Sequence, residues 1–203
     1  MAVYTKINKK DISYINKKFE IEKIISFKGI KQGIENTNYL LRSKNKKFIL
    51  TIFEKRVSQN EIPFFMKLMD QLNNSKINCP KPQKNKNGNY LVRIRKKSAC
   101  IVSFLEGKDK KLLNLKNCHE IGKMIAGMHL STKKINLSRK NSMGIKYLNP
   151  LLNSIKFKSK KFTNIEKFLK INFKDIKMKW PKKLPSGIIH GDLFIDNIFF
   201  KNN

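Results

Sequence analysis

The first half of this 203-residue chain alternates short apolar runs with polar turns, and this pattern limits the folds open to it. Residues 23–27, 39–42 and 48–53 are rich in β-branched, aromatic and other apolar residues, and the segment between the first two contains Gly29 and Gly33. Short runs joined by glycine-containing turns are typical of β-hairpins. Three such runs in succession predict an antiparallel sheet.

A helix is expected after the third strand. Ser58 and Glu61 have the spacing of a capping box, in which a hydroxyl and a carboxylate satisfy free N–H groups at a helix start. Pro63 is acceptable only in the first turn of such a helix, and Asn60 as the alternative cap would place it there. Apolar residues then recur at helical spacing and predict a face that packs on the sheet: Phe65, Leu68, Met69 and Leu72.

The pattern becomes helical after residue 107. Two more strands, residues 90–92 and 99–102, precede this change, and the stretch VSFLEGKDKK between them and the helices is the expected linker. We therefore predict an α+β fold with two domains, residues 1–107 and residues 108–203. The first would contain the antiparallel sheet and one helix, and the second would be mostly helical.

Two helices are predicted in the second half. Asn114 or Asn117 can cap the first, which is expected to end at His129. Its apolar stripe comprises Leu115, Cys118, Ile121, Ile125 and Met128. The second helix is expected over residues 163–173.

The formal net charge of +31 calls for an explanation. A basic surface can bind nucleic acid or membranes. Here, however, the charge is almost all lysine and is spread from end to end, beside abundant Asn and Ile. Arginine, which forks onto phosphates and bases, occurs only at Arg42, Arg56, Arg93, Arg95 and Arg139. We favour a coding bias, with a nucleic-acid site as the alternative.

The sequence also bears on the compartment. No apolar run approaches the roughly 18 residues of a membrane span, and the start of the chain lacks the apolar segment of a secretory signal. Cys79, Cys100 and Cys118 are odd in number and form no CxxC pair, which favours reduced thiols over disulfides or a zinc site. We expect a cytoplasmic protein without a membrane partner.

The residues that can do chemistry are concentrated in the segment HGDLFIDNIFF. Two apolar runs, residues 188–189 and 198–200, are predicted as short strands around four polar residues: His190, Asp192, Asp196 and Asn197. The spacing HxDxxxxN is that of a kinase catalytic loop, where the Asp accepts or orients the substrate hydroxyl and the Asn gives an oxygen to Mg²⁺. The alternative is a polar β-turn without catalytic function.

This segment resembles the catalytic loop of the choline kinase and aminoglycoside phosphotransferase superfamily. Further stretches, in order along nearly the whole chain, resemble the bacterial homoserine kinases of that superfamily: MAVYTKI, SFKGIKQGIENTNYLL, FILTIFEKR, IPFFMKLMDQL, CPKP and IVSFLEG. The resemblance implies a protein-kinase-like bilobal fold, with ATP held by the N-terminal lobe and an incomplete helical C-terminal lobe. It also implies phosphorylation of the L-homoserine hydroxyl to O-phospho-L-homoserine, a precursor of threonine.

The same resemblance implies roles for individual residues. Asp192 would be the catalytic base or would orient the hydroxyl, His190 would brace the loop, and Asn197 would bind Mg²⁺. The loop over the ATP phosphates would include Gly33, Glu35, Asn36, Thr37 and Asn38. The adenine would meet the backbone of a hinge formed by Ser103, Phe104 and Leu105, for which the alternative is a linker without ligand contact.

The sequence departs from the family pattern in two places. Thr51 stands where a basic residue usually grips the phosphates, and Lys55 or Arg56 is the alternative cation. The family also has a Mg²⁺-binding aspartate shortly after the catalytic loop, and none follows before Asn203. We therefore expect a truncated sequence, with little or no turnover by the 203-residue chain.

Other functions stay open at this point. One is a kinase of the same superfamily that acts on an aminoglycoside, choline or methylthioribose. Another class comprises proteins without catalysis: a nucleotide-binding pseudokinase, or a lysine-rich nucleic-acid binder whose affinity would fall steeply with salt.

Overall fold

The computed structural model describes residues 3–33, 35–54, 58–141, 144–155, 163–181 and 183–201. Its sheet is antiparallel throughout and has the order β1-β2-β3-β5-β4. The five strands are β1 (Ser26–Gly29), β2 (Thr37–Arg42), β3 (Lys47–Ile52), β4 (Leu91–Ile94) and β5 (Lys97–Ser103). The prediction of an α+β fold built on an antiparallel sheet is confirmed.

The helix α1 (Lys9–Lys18), which was not predicted, covers one face of the sheet. Asn8 and Asp11 form a capping box at its start, so its first free N–H groups are satisfied. Ile12 and Ile15 are buried on the same side of the helix. They join the larger apolar core with alternate residues of the strands: Tyr39, Leu41, Phe48, Leu50, Ile52, Val92, Ile94, Ala99 and Ile101.

The helix α2 (Ile62–Asn74) packs on the opposite face, where Ile62 and Met66 meet Cys100 and Val102. Pro63 lies in the first turn, as predicted. The predicted capping box is wrong. Glu61 is itself the residue before the helix and makes no side-chain cap, because residues 58–61 close as a turn in which the Glu61 N–H donates to the Ser58 carbonyl at 3.0 Å.

The helix α3 (Leu115–Thr132) begins where the sequence predicts. Asn114 caps it and Asn117 completes a capping box, so both candidates take part. The helix does not end at His129. Its last turn continues to Thr132, whose hydroxyl donates to the His129 carbonyl at 3.1 Å.

The predicted apolar stripe of α3 is only partly correct. Met128 is 7% exposed and belongs to the core, whereas Leu115 is 90% exposed and Cys118 is also exposed. Ile121 and Ile125 are half-buried. Helical spacing predicts that these side chains share one face of the helix. It does not predict which of them the neighbouring elements cover.

Residues Ser138–Ser186 form a compact unit separate from the one formed by Met1–Leu137 and Gly187–Asn203. It contains α4 (Ile145–Ser154), which was not predicted, and α5 (Thr163–Lys179). The latter runs past the predicted end at residue 173 and includes the ion pair of Asp175 with Lys179, 2.9 Å apart. The division into residues 1–107 and 108–203 stays a prediction.

The end of the chain pairs with the segment that follows β5. Lys108 and Phe200 exchange two backbone hydrogen bonds of 3.1 and 2.9 Å. Gly107, with φ of +140°, makes this approach possible, since a Cβ there would lie 2.9 Å from the Phe200 carbonyl oxygen. No helix among the described residues is long and apolar enough to cross a membrane.

Replacement of Gly107 tests this close approach. We expect Gly107→Ala to lower the free energy of unfolding by about 1–3 kcal/mol, because a side chain there is strained and would push Phe200 away. Gly122→Ala, on α3, is the matched control: outside its own helical turn, a Cβ there would meet no atom of the described residues within 4 Å, so alanine should be neutral or stabilising. Urea denaturation measures both, and equal losses would contradict the expectation.

The three free cysteines should differ in reactivity. Burial raises the pKa of Cys79 to about 11 and that of Cys100 to about 12, which keeps both thiols protonated near neutral pH. Cys118 is exposed. We expect Ellman's reagent to modify Cys118 rapidly and the other two only after unfolding. Cys118→Ser should abolish the rapid phase, and rapid labelling of Cys100 in the native protein would contradict this burial.

Candidate functional site

The polar loop, residues 190–197, folds back on itself. The side-chain amide of Asn197 donates to the Asp192 carbonyl at 2.9 Å and to the Asp192 carboxylate at 3.3 Å. The Asp192 N–H donates to Nδ1 of His190 at 3.3 Å. Of the three residues predicted for this site, Asp192 therefore lies within hydrogen-bond distance of both His190 and Asn197.

Two backbone features give the polar loop this shape. Gly191 has φ of +76°, a conformation that glycine adopts without strain, and it reverses the chain between His190 and Asp192. A single 3₁₀ turn (Ile195–Asn197) follows, in which the Asn197 N–H donates to the Phe194 carbonyl at 2.9 Å. This turn returns Asn197 to Asp192.

The apolar flanks of the polar loop differ from the prediction. Residues 188–189 form no strand, and on the other side only Phe200 forms a β-bridge. Ile189 is 66% exposed and Phe199 is 53% exposed. Apolar composition predicts burial, but burial in a strand also requires a neighbouring strand, and the described residues provide that only for Phe200.

The oxygen atoms of the polar loop suit a hard cation. The Asn197 amide directs its NH₂ group at Asp192, and no described residue donates to its Oδ1. Mg²⁺ prefers oxygen ligands and commonly takes only one or two from the protein, the rest being water and phosphate oxygens. The described residues contain no group of three or more His, Cys, Asp and Glu side chains that could form a metal site of their own.

The β1–β2 loop, residues 30–36, holds further predicted residues. Gly33 has φ of +92°. Glu35 is exposed, and Asn36 accepts a hydrogen bond from the Glu54 N–H at 3.2 Å. Beyond the loop, Asn38 accepts from the Thr51 hydroxyl at 2.8 Å, so the residue in the place of the expected phosphate-binding cation is bonded to a neighbouring strand. Lys55 and Arg56 lie outside the described residues.

Thr37 differs from the other predicted residues because its side chain is completely buried. Its hydroxyl accepts from the N–H groups of Tyr4 and Thr5 at 3.0 and 3.1 Å and donates to the Glu54 carboxylate at 2.7 Å. These protein partners occupy the side chain, so any contact of Thr37 with a ligand would come from its backbone.

Sequence reasoning missed Glu54, which binds Thr37 and two more residues. Its carboxylate accepts from the Thr5 hydroxyl at 2.7 Å and pairs with Lys97, the first residue of β5. Burial raises the pKa of Glu54, but the hydrogen bonds from Lys97, Thr5 and Thr37 outweigh it and hold the pKa below its ordinary value. The one sign of Glu54 in the sequence was its place as a charged residue directly after the apolar run of residues 48–53.

The hinge, residues 103–105, is the third predicted part. The Ser103 N–H donates to the Lys81 carbonyl at 2.9 Å, and the Phe104 N–H donates to the Lys47 carbonyl at 3.3 Å. Leu105 is different, because its backbone N–H and carbonyl bond to no other described residue. Of the three hinge residues, Leu105 is therefore the one that offers a ligand both a free backbone N–H and a free carbonyl.

One sheet face lies between the hinge and the β1–β2 loop. Leu40 pairs with Ile49 there, and Asn38 pairs with Thr51. All four are half-buried, with Ile49 at the edge of the core beneath α2, whereas the same face of β5 is covered by α2. From the hinge towards the loop, this face thus presents an apolar pair and then a polar pair.

Two open cavities lie away from the polar loop. The larger, about 710 Å³, is between the C-terminal ends of α2 and α3 and includes none of the predicted residues. The smaller, about 430 Å³, adjoins Ser103 and Phe104 but not Leu105 or the polar loop. Neither is an enclosed pocket around the predicted residues.

Solved structures share this fold. A spectinomycin phosphotransferase in complex with ADP and spectinomycin matches with a TM-score of 0.65 at 13% identity, over 98% of this chain and 67% of that one. A microcompartment-associated aminopropanol kinase matches with a TM-score of 0.68 at 15% identity, over 95% of this chain and 64% of that one. The predicted kinase-like fold is thereby confirmed.

Curated relatives are similar along nearly the whole chain. A homoserine kinase of Parvibaculum lavamentivorans is 35% identical over 98% of this chain, and one of Paramagnetospirillum magneticum is 36% identical over 98%. The chain spans 63% and 62% of their lengths. The family model described as "Phosphotransferase enzyme family" matches residues 26–203, and the chain therefore belongs to the phosphotransferase enzyme family.

Proposed function

We propose that the protein transfers the γ-phosphoryl group of ATP to the side-chain hydroxyl of L-homoserine. The observation that carries this proposal is the contact of the Asn197 amide with Asp192 inside an HxDxxxxN loop. The choice of homoserine rests on the curated relatives that are homoserine kinases. Because the chain spans less than two thirds of their length, the proposal concerns the whole protein.

The open sheet face offers a place for the nucleotide. A purine needs apolar surface and backbone hydrogen-bond partners, which Leu40, Ile49 and the Leu105 backbone supply. Phosphate groups need polar donors, and the β1–β2 loop with Gly33 lies at the other end of that face. This order of groups supports an ATP with its adenine at the hinge and its phosphates at the loop.

The polar loop supports the chemistry of transfer. The Asp192 carboxylate would accept the hydrogen bond of the substrate hydroxyl and receive its proton as the phosphate bond forms. The Asn197 amide and the His190 ring hold Asp192 in place through its carboxylate, carbonyl and N–H. Phosphoryl transfer depends mainly on such positioning, because the protein contributes little covalent chemistry.

The Asn197 Oδ1 atom fits a Mg²⁺ ligand. Its NH₂ group is engaged with Asp192, which leaves the oxygen for the cation. Bound Mg²⁺ neutralises charge on the phosphate oxygens. The proposed reaction uses ATP and a free amino acid. Such a reaction is consistent with the cytoplasmic location that we proposed from the sequence.

Asp192→Asn tests the proposed base. The change keeps the size of the side chain and removes its charge, so we expect kcat to fall by about 10²–10⁴ while KM for ATP changes little. Asp196→Asn is the matched control, since it makes the same change in the same exposed loop at a residue whose carboxylate takes no part in the hydrogen bonds between Asp192 and Asn197. Homoserine-dependent ADP formation by the complete gene product measures both, and full activity of Asp192→Asn would exclude this role.

A substrate panel tests the choice of alcohol. We expect the complete gene product to show its highest kcat/KM with L-homoserine, and lower values with L-serine, choline, methylthioribose, aminopropanol and spectinomycin. Activity without any alcohol, measured as ATP hydrolysis, is the control for uncoupled turnover. A higher kcat/KM with another alcohol would reject homoserine as the substrate and would leave phosphoryl transfer itself in place.

A further inference from the structure

We propose that Glu54 is a positioning residue for the nucleotide, because it holds the end of the β1–β2 loop and joins it to the N-terminal segment and to β5. This inference rests on the proposed function, in which that loop meets the ATP phosphates. Glu54 itself would not touch the ligand. It would act through Asn36 and Thr37, the two residues at the junction of the loop with β2.

Both the backbone and the side chain of Glu54 hold this junction. Its N–H donates to the Asn36 side chain at 3.2 Å, and its carboxylate accepts from the Thr37 hydroxyl at 2.7 Å. The opposite end of the loop is closed by the Ile30 N–H, which donates to the Asn38 carbonyl at 2.9 Å. The path of the loop is thus fixed at its base, while Gly33 near the tip has no such bond to a described residue.

The N-terminal segment is fastened to the same point. Thr37 accepts from the N–H groups of Tyr4 and Thr5, and the Thr5 hydroxyl donates to Glu54 at 2.7 Å. Lys97 pairs with the other carboxylate oxygen and donates to the Thr5 hydroxyl at 2.7 Å. The N-terminal segment, the start of β2 and the start of β5 are distant in sequence, and all three bond to the Glu54 carboxylate.

We expect the Glu54–Lys97 pair to stabilise the junction more than an ordinary surface ion pair would. The Glu54 side chain is 11% exposed and that of Lys97 39% exposed, so water screens the pair only in part. Hydrogen bonds to an ionised group are about twice as strong as neutral ones. Removal of Lys97 or of the Glu54 charge should loosen the junction of the loop without removing any group that faces the nucleotide.

The chain contains a matched control pair. Arg95 and Asp11 lie 2.8 Å apart, with side chains 46% and 16% exposed, and they join α1 to the turn between β4 and β5. Like the hydrogen bond from Lys97 to Thr5, this pair ties the N-terminal region to the β5 side of the sheet. It does not contact the β1–β2 loop, so Arg95→Met should cost stability without changing nucleotide binding.

The experiment compares Lys97→Met, Glu54→Gln and Arg95→Met in the complete gene product. We expect all three to lower Tm. Only the first two should raise Kd for MgADP and KM for ATP, by about tenfold for the loss of roughly 1.4 kcal/mol, and KM for homoserine should stay unchanged. Calorimetric titration measures Kd, and initial rates measure the two KM values.

A second pair of variants keeps the test decisive if a charge change prevents folding. Thr37→Ser retains the hydroxyl that reaches Glu54 and should preserve the affinity for MgADP, whereas Thr37→Val removes it and should weaken binding. Wild-type affinity in Lys97→Met and Thr37→Val, or an equal loss in Arg95→Met, would overturn the role of Glu54 and leave the proposed function standing. Failure of the wild-type protein to bind MgADP would overturn both.

Discussion

The side-chain amide of Asn197 determines the shape of the site, because it binds two oxygen atoms of Asp192 five residues earlier in the chain. A glycine with positive φ and a single 3₁₀ turn make this return possible. The backbone pairing of Lys108 with Phe200 then attaches the loop to the segment that leaves the hinge. This pairing joins the segment after the proposed base to the segment after the proposed adenine contact.

The sheet gives this arrangement a rigid support. Its two faces are covered by different helices, α1 on one side and α2 on the other, and the uncovered part of the α2 face is where we place the nucleotide. The N-terminal segment contributes more than the first helix, since Thr5 reaches the Glu54 carboxylate beside the β1–β2 loop. The start of the chain thus bonds to the two residues that hold the base of the β1–β2 loop, Thr37 and Glu54.

Local patterns predicted the existence of the five sheet strands and the polar loop, but they wrongly predicted strands on both sides of that loop and gave no sign of the long-range contacts. The HxDxxxxN spacing was readable because Asp192 and Asn197 are close in sequence as well as in space. Helix α1 was also readable, from the Asn8 and Asp11 box, but the basic composition of the segment concealed it. The role of Glu54 was not readable, since its partners Thr37, Lys97 and Thr5 lie 17, 43 and 49 residues away.

In the proposed reaction, the polar loop promotes transfer of a phosphoryl group to an alcohol. The most direct test incubates the complete gene product with MgATP and L-homoserine and follows the products by ³¹P NMR. We expect a phosphate monoester resonance, coupled to the side-chain methylene protons of homoserine, that grows as ADP forms. Release of inorganic phosphate alone, or unchanged ATP, would contradict it.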